Sequence, residues 1–139
     1  MARVRTNTTS MSTGSRSWIR LFTLNNSDIG EAVVLDAEYE NGEIHCVLSD
    51  RTHFIGCIIV AAENWVKTLQ GALVQPMACA LDVDQQHRQF KLHITEFVRL
   101  GDGSGSNGQA ANKPKFVMDE PAVQRAFKAA AASAAVVPH

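Results

Sequence analysis

Apolar and polar residues alternate with period two over most of this chain. The pattern shifts to a helical period twice, over residues 61–70 and again after residue 119. Residues 18–24 (Trp-Ile-Arg-Leu-Phe-Thr-Leu) are aromatic and β-branched and end in the turn-forming Asn25-Asn26-Ser27-Asp28, which predicts a first strand. Residues 32–39 continue that strand or form a curved second piece. Asn41-Gly42 is a strong hairpin signal leading into residues 43–49, where Ile44, Cys46 and Leu48 share one face and Glu43, His45 and Val47 the other. After the turn at residues 49–52, residues 53–60 are apolar on both faces and predict a central strand, with Gly56 marking a bulge or a close backbone approach.

Ala62, Trp65, Val66 and Leu69 form a helical stripe, with Glu63 and Lys67 as an i,i+4 pair on the other side and Gly71 as the stop. A fourth strand follows, with Leu73, Met77, Cys79, Leu81 and Val83 on its inward face, and Pro76 suits an edge or a bulge. Phe90, Leu92 and Ile94 define a fifth strand. Strict alternation would turn Phe97 outward, and a bulge near Thr95 would return it to the core. Val123, Ala126, Phe127 and Ala130 predict an amphipathic helix starting near Asp119-Glu120-Pro121. The predicted organisation is a disordered basic tail (1–17), a barrel (18–100), a flexible Gly/Ser/Asn linker (101–114), a C-terminal helix of the same domain (115–135) and a short tail (136–139). Five strands, a helix between the third and fourth and a terminal helix match the OB-fold, a small Greek-key barrel.

Length and charge narrow the function. At 139 residues and 45% apolar content the chain builds one domain with its own core. The net charge is −1, and beyond residue 17 ten basic residues face fourteen acidic ones, so no general positive field draws it to phosphate. Cys46, Cys57 and Cys79 lack C-x-x-C spacing and read as reduced thiols of an intracellular protein. No secretory leader or membrane span is expected, and a monomer is. The five histidines have no familiar ligand spacing, and the glycines of residues 101–105 lack the lysine of a phosphate-binding loop. No catalytic residue, metal or cofactor is expected, and the chain does not read as an enzyme. Single-strand binding on the barrel groove, through Arg20, Tyr39, Arg88 and Lys91, is the alternative to protein recognition.

Three stretches carry a resemblance: Ser-Trp-Ile-Arg at 17–20, Leu-Ser-Asp-Arg-Thr-His-Phe-Ile-Gly-Cys-Ile-Ile at 48–59 and Phe-Lys-Leu-His-Ile-Thr-Glu-Phe at 90–97. In order and spacing they resemble the telomerase-accessory OB-fold family, which takes in the OB domain of the shelterin protein ACD and the fungal third "ever shorter telomeres" subunit. The resemblance spans about residues 18–127. It implies a non-catalytic nuclear protein at telomeres that contacts the N-terminal domain of the telomerase reverse transcriptase and supports its recruitment or processivity. The family's contact surface corresponds here to Glu63, Asn64, Lys67, Gln70, Gln75 and Asp102. Trp18, Arg20 and Asp50 match the family's pattern as structural or functional positions; Trp18 can anchor the barrel floor, and Asp50 can cap the hairpin or pair with a group such as Arg20.

Overall fold

The computed structural model describes residues 2–8, 17–24, 29–102 and 114–135. In chain order the elements are β1 (Ala2–Thr8), α1 (Trp18–Thr23), β2 (Ala32–Glu40), β3 (Glu43–Ser49), β4 (His53–Ile59), α2 (Trp65–Leu69), β5 (Ala72–Asp84), β6 (Gln89–Asp102), β7 (Lys115–Phe116), a 3-10 turn (Val117–Asp119) and α3 (Pro121–Ala135). β2 pairs β3, β3 pairs β4, β4 runs parallel to β6, β6 pairs β5, and β5 returns to β2. That circuit closes a five-stranded barrel with one parallel seam and a helix between its third and fourth strands, which is the OB-fold.

The hairpin and the inward faces follow from local chemistry. Asn41 and Gly42 both adopt positive φ (53° and 84°), the geometry of a type I′ hairpin. Ile44, Cys46 and Leu48 face Ile55, Cys57 and Ile59 across the β3–β4 ladder, and all six are buried with Phe90, Leu92 and Ile94. Gly56 lies under Gln89 and Lys91, where a Cβ would meet their side chains at 3.4–3.5 Å. In β6, Thr95 is an extra residue between the pairs Ala78↔Glu96 and Cys79↔Ile94, and past this bulge Phe97 is half-buried against the core, as the sequence predicts. α3 buries Val123, Phe127 and Ala131, and the ring of Phe127 meets Phe90 edge-on at 5.5 Å.

Four expectations are corrected. Residues 18–23 form a helix, not a strand. Ser17 caps it by accepting from the Arg20 amide, and Trp18, Ile19, Phe22 and Thr23 are buried at helical spacing, so tertiary burial overrides strand propensity. The first barrel strand is therefore β2 alone, bent where Asp36 adopts a φ of 53° and the pairing with β3 skips a step. Ala2–Thr8 is a strand, where a disordered tail is predicted. β2 holds β5 only at Leu73 and Val74, leaving the β5 edge from Ala78 to Val83 open for β1 to pair with. In β5, Met77 is an extra residue between Pro76 and Ala78, so Leu73 and Met77 fall off the predicted inward face and Ala72 and Val74 are buried instead. Strand β6 also runs on to Asp102, past the predicted barrel end at residue 100, and residues 115–119 form β7 and a 3-10 turn before the helix starts at Pro121. Residues 1 and 9–16 of the predicted tail, the predicted turn at residues 25–28, residues 103–113 of the predicted linker and residues 136–139 lie outside the described residues.

Candidate functional site

The chain leaves the barrel after β4, where the Val60 amide donates to the Ile94 carbonyl, and makes a turn before α2. α2 has five residues and buries only Leu69 fully. Trp65 therefore remains 36% exposed, with its ring edge-on to Phe97 at 5.2 Å. Between α2 and β6 lies an open groove of about 480 Å³, with Trp65 and Phe97 against Val60, Met77 and Val98. Of the six large apolar side chains exposed among the described residues, Val60, Trp65, Met77 and Val98 line this groove, and Leu100 follows on the same strand. Apolar side chains gathered on one surface mark a site where another molecule can remove them from water.

The residues that the resemblance singles out divide around this groove. Glu63, Asn64 and Lys67 are exposed along α2 and the turn before it. Glu63 precedes the helix, so the predicted i,i+4 pair with Lys67 lacks helical spacing, and Asn64 occupies the N-cap position without a side-chain capping bond. Gln70 and Gln75 serve the scaffold. Gln70 Oε1 accepts from the Ala37 amide at 2.7 Å, at the bend of β2, and Gln75 Nε2 donates to the carbonyls of Ile29 and Pro76. Asp102 stands at the end of β6 opposite Ala72. The sequence reading missed Trp65, Met77, Val98 and Leu100 as surface residues; the bulge at Thr95 was the available signal, because it fixes which of residues 96–100 turn out.

Trp18, Arg20 and Asp50 build the scaffold at α1. The Trp18 indole donates to the Glu31 carbonyl at 2.8 Å and leaves no room at Gly30, where a Cβ would lie 2.6 Å from Trp18 Cδ1. Asp50 Oδ1 accepts from the Thr52 and His53 amides, and its Oδ2 accepts from the Ser17 hydroxyl and the Ile19 amide. Of the two alternatives for Asp50, hairpin capping is what the structure holds, with capping of α1 added to it. Arg20 instead donates from Nε to Glu120 Oε1 at 2.9 Å. His53 Nε2 lies 3.4 Å from Glu120 Oε2, long for a hydrogen bond, and among the described residues neither buried ring nitrogen has a hydrogen-bond partner. The Arg20 guanidinium, and after it the His53 ring, hold the Glu120 carboxyl below the usual carboxylate range.

The barrel face that would take a single strand is crossed by acids. Tyr39 is exposed on β2 beside the hairpin. Lys91 reaches Asp84 Oδ2 at 3.3 Å and is only 17% exposed, while His87 Nδ1 lies 2.7 Å from the same oxygen. Burial pushes the Asp84 carboxyl up, but hydrogen bonds from His87 and Lys91 outweigh it and leave the group below its ordinary value. Arg88 lies over the Phe127 ring at 5.5 Å. Glu43 stands 3.9 Å from His45 and 3.8 Å from His93, whose other nitrogen is 3.6 Å from Asp82. Arg20, Tyr39, Arg88 and Lys91 are thus spread over α1, β2, the β5–β6 turn and β6, and two of the three cations are ion-paired.

Among the described residues no group of three or more His, Cys, Asp or Glu side chains could hold a metal ion, and no helix is long and apolar enough to cross a membrane. The three thiols are free and buried. Burial raises the pKa of Cys57 well above its ordinary value and pushes that of Cys79 up to about 12.

No family model matches the chain, and no curated protein matches it. Among solved structures it is similar to the p204 HINb domain (13% identity, TM-score 0.45, 58% of this chain and 44% of that one). It is also similar to the Ifi202 HINa domain in complex with 20bp dsDNA (15% identity, TM-score 0.46, 60% and 45%) and to fission yeast Pot1 with ssDNA (12% identity, TM-score 0.38, 74% and 39%). The chain spans less than half the length of each.

Proposed function

We propose that this OB-fold is a non-catalytic accessory subunit that docks a protein on the α2–β6 surface. Its partner is the N-terminal domain of the telomerase reverse transcriptase, and its place of action is the telomere, in the nucleus. The observation that carries the reading is the apolar groove of Val60, Trp65, Met77, Phe97 and Val98, with exposed Glu63, Asn64 and Lys67 nearby. A buried aromatic anchor within a polar rim is the usual make-up of a protein interface. The resemblance carried by residues 17–20, 48–59 and 90–97 supplies the identity of the partner.

A second reading is single-strand binding on the β3–β4 face, a use general to this barrel and favoured here by exposed Tyr39. Two titrations of ¹⁵N-labelled protein separate the readings, one with the reverse transcriptase N-terminal domain and one with single-stranded telomeric DNA. Docking shifts Trp65, Lys67 and Val98, is weakened at least ten-fold by Trp65→Ala, and depends little on salt. Shifts around Tyr39 and Lys91 with DNA alone, falling steeply as salt rises, would reverse the assignment.

A further inference from the structure

The parallel seam between β4 and β6 ends at Ile59↔Ile94, and among the described residues no strand pairs with β6 beyond Ile94 on the side away from β5. Among the described residues, 95–101 therefore offer an open edge of seven residues, roughly 23 Å of backbone. An open edge is a row of unpaired amides and carbonyls that accepts another strand, and proteins usually blunt such edges with lysine, proline or bulges. Here β6 carries extra residues at Thr95 and Leu100, which leave Glu96–Arg99 between two bulges of this strand, with the extra Met77 of β5 across from Glu96 and Phe97. That stretch holds no lysine or proline, and Val98 and Leu100 are exposed by 46% and 47%. Arg99 is drawn aside, its Nε donating to the Thr68 carbonyl at 3.1 Å. The groove of Trp65 and Phe97 runs directly beside this edge, with Glu96 in its lining.

We infer that the partner docks by strand addition: an extended segment pairs with Glu96–Arg99, apolar at alternate positions and basic opposite Glu96. The open backbone row specifies an extended occupant, the groove takes its apolar side chains, and the Glu96 carboxylate selects the charge. Two bulges confine the pairing to four residues, so side chains in the groove must supply much of the affinity. This inference rests on the docking surface proposed above.

Amide hydrogen exchange of the full chain, alone and saturated with the reverse transcriptase N-terminal domain, tests it. Outward amides of residues 96–99 exchange rapidly in the free protein and slow at least ten-fold at alternate positions in the complex. Val98→Lys, a change at an exposed site, weakens binding at least ten-fold while leaving the circular dichroism spectrum intact. Binding without slowed exchange at residues 96–99, or unaffected by Val98→Lys, overturns strand addition and leaves the docking surface standing. No binding of the domain overturns both.

Discussion

Replacing Asp50 by alanine removes one carboxylate that serves two elements at once. Its Oδ1 holds the turn before β4 through the Thr52 and His53 amides at 3.0 and 2.8 Å, and its Oδ2 holds the start of α1 through Ser17 at 2.6 Å and Ile19 at 3.1 Å. Loss of a helix cap costs about 0.5–2 kcal/mol, and the turn loses a comparable cap, so the expected destabilisation is ~1–4 kcal/mol. Summing four charge-assisted bonds would give far more, but water reaches the Thr52 amide once the carboxylate is gone. Asp50→Asn keeps one acceptor oxygen and should cost ~1–2 kcal/mol. Urea unfolding followed by tryptophan fluorescence measures both, with the slope of free energy against denaturant unchanged. For a domain of this size the alanine variant should melt roughly 3–12 °C lower. A double-mutant cycle with Ser17→Ala should show coupling of ~0.5–1.5 kcal/mol, since either change removes the Ser17–Asp50 hydrogen bond. An alanine variant within 0.5 kcal/mol of the parent, or an asparagine variant as unstable as alanine, would refute the capping role. It would also restore Asp50 as a residue whose match to the family pattern reflects binding.

Gly30→Ala forces a Cβ to within 2.6 Å of the buried Trp18 ring, so it should cost ~1–3 kcal/mol and shift Trp18 emission to the red; an unchanged spectrum and midpoint would contradict the packing. The Asp84 carboxyl lies below its ordinary value in the folded state. Its contribution is therefore present above the unfolded pKa of about 4 and is lost as pH falls through the folded value. The stability gap between the parent and Asp84→Asn should narrow as pH drops from 5 to 2.5, and a gap that widens would reverse the sign. Cys46, Cys57 and Cys79 should resist iodoacetamide at pH 8 in the native protein and react fully in urea, as read by intact mass; rapid native labelling would mean the barrel opens.

The barrel was legible because its strands obey local rules. Asn41-Gly42 carries its turn geometry in two residues, the inward triplets Ile44, Cys46, Leu48 and Phe90, Leu92, Ile94 are buried as the alternation requires, and the displaced phase of Phe97 revealed the bulge at Thr95. Residues 18–23 were misread because strand propensity was weighed without the cap. Ser17 followed by apolar residues at 18, 19 and 22 is a helical spacing, and the acceptor that completes the cap, Asp50, lies 33 residues from Ser17. The β1 strand was illegible for another reason: nothing local marks residues 2–8 as extended. They pair because β2 begins only at Ala32, opposite Val74, and leaves the β5 edge from Ala78 to Val83 exposed.

The candidate site was only half legible, because sequence lists charges without showing which are already neutralised. Arg20 and Lys91 read as free cations for a phosphate backbone, yet Glu120 and Asp84 already engage them, from 100 positions away in the first case. Any phosphate on that face would have to displace those carboxylates and also face Glu43, so whole-chain net charge understates how poorly the face suits a polyanion. The reverse holds at α2. A helical stripe of Trp65, Val66 and Leu69 predicts burial, but a five-residue helix buries only Leu69 fully, with Val66 partly buried against the core. Trp65 is left at the surface against Phe97, where only a bulge in a strand about thirty residues later could have put its aromatic partner. The apolar surface proposed above for docking is thus the joint product of a short helix and a bulged strand.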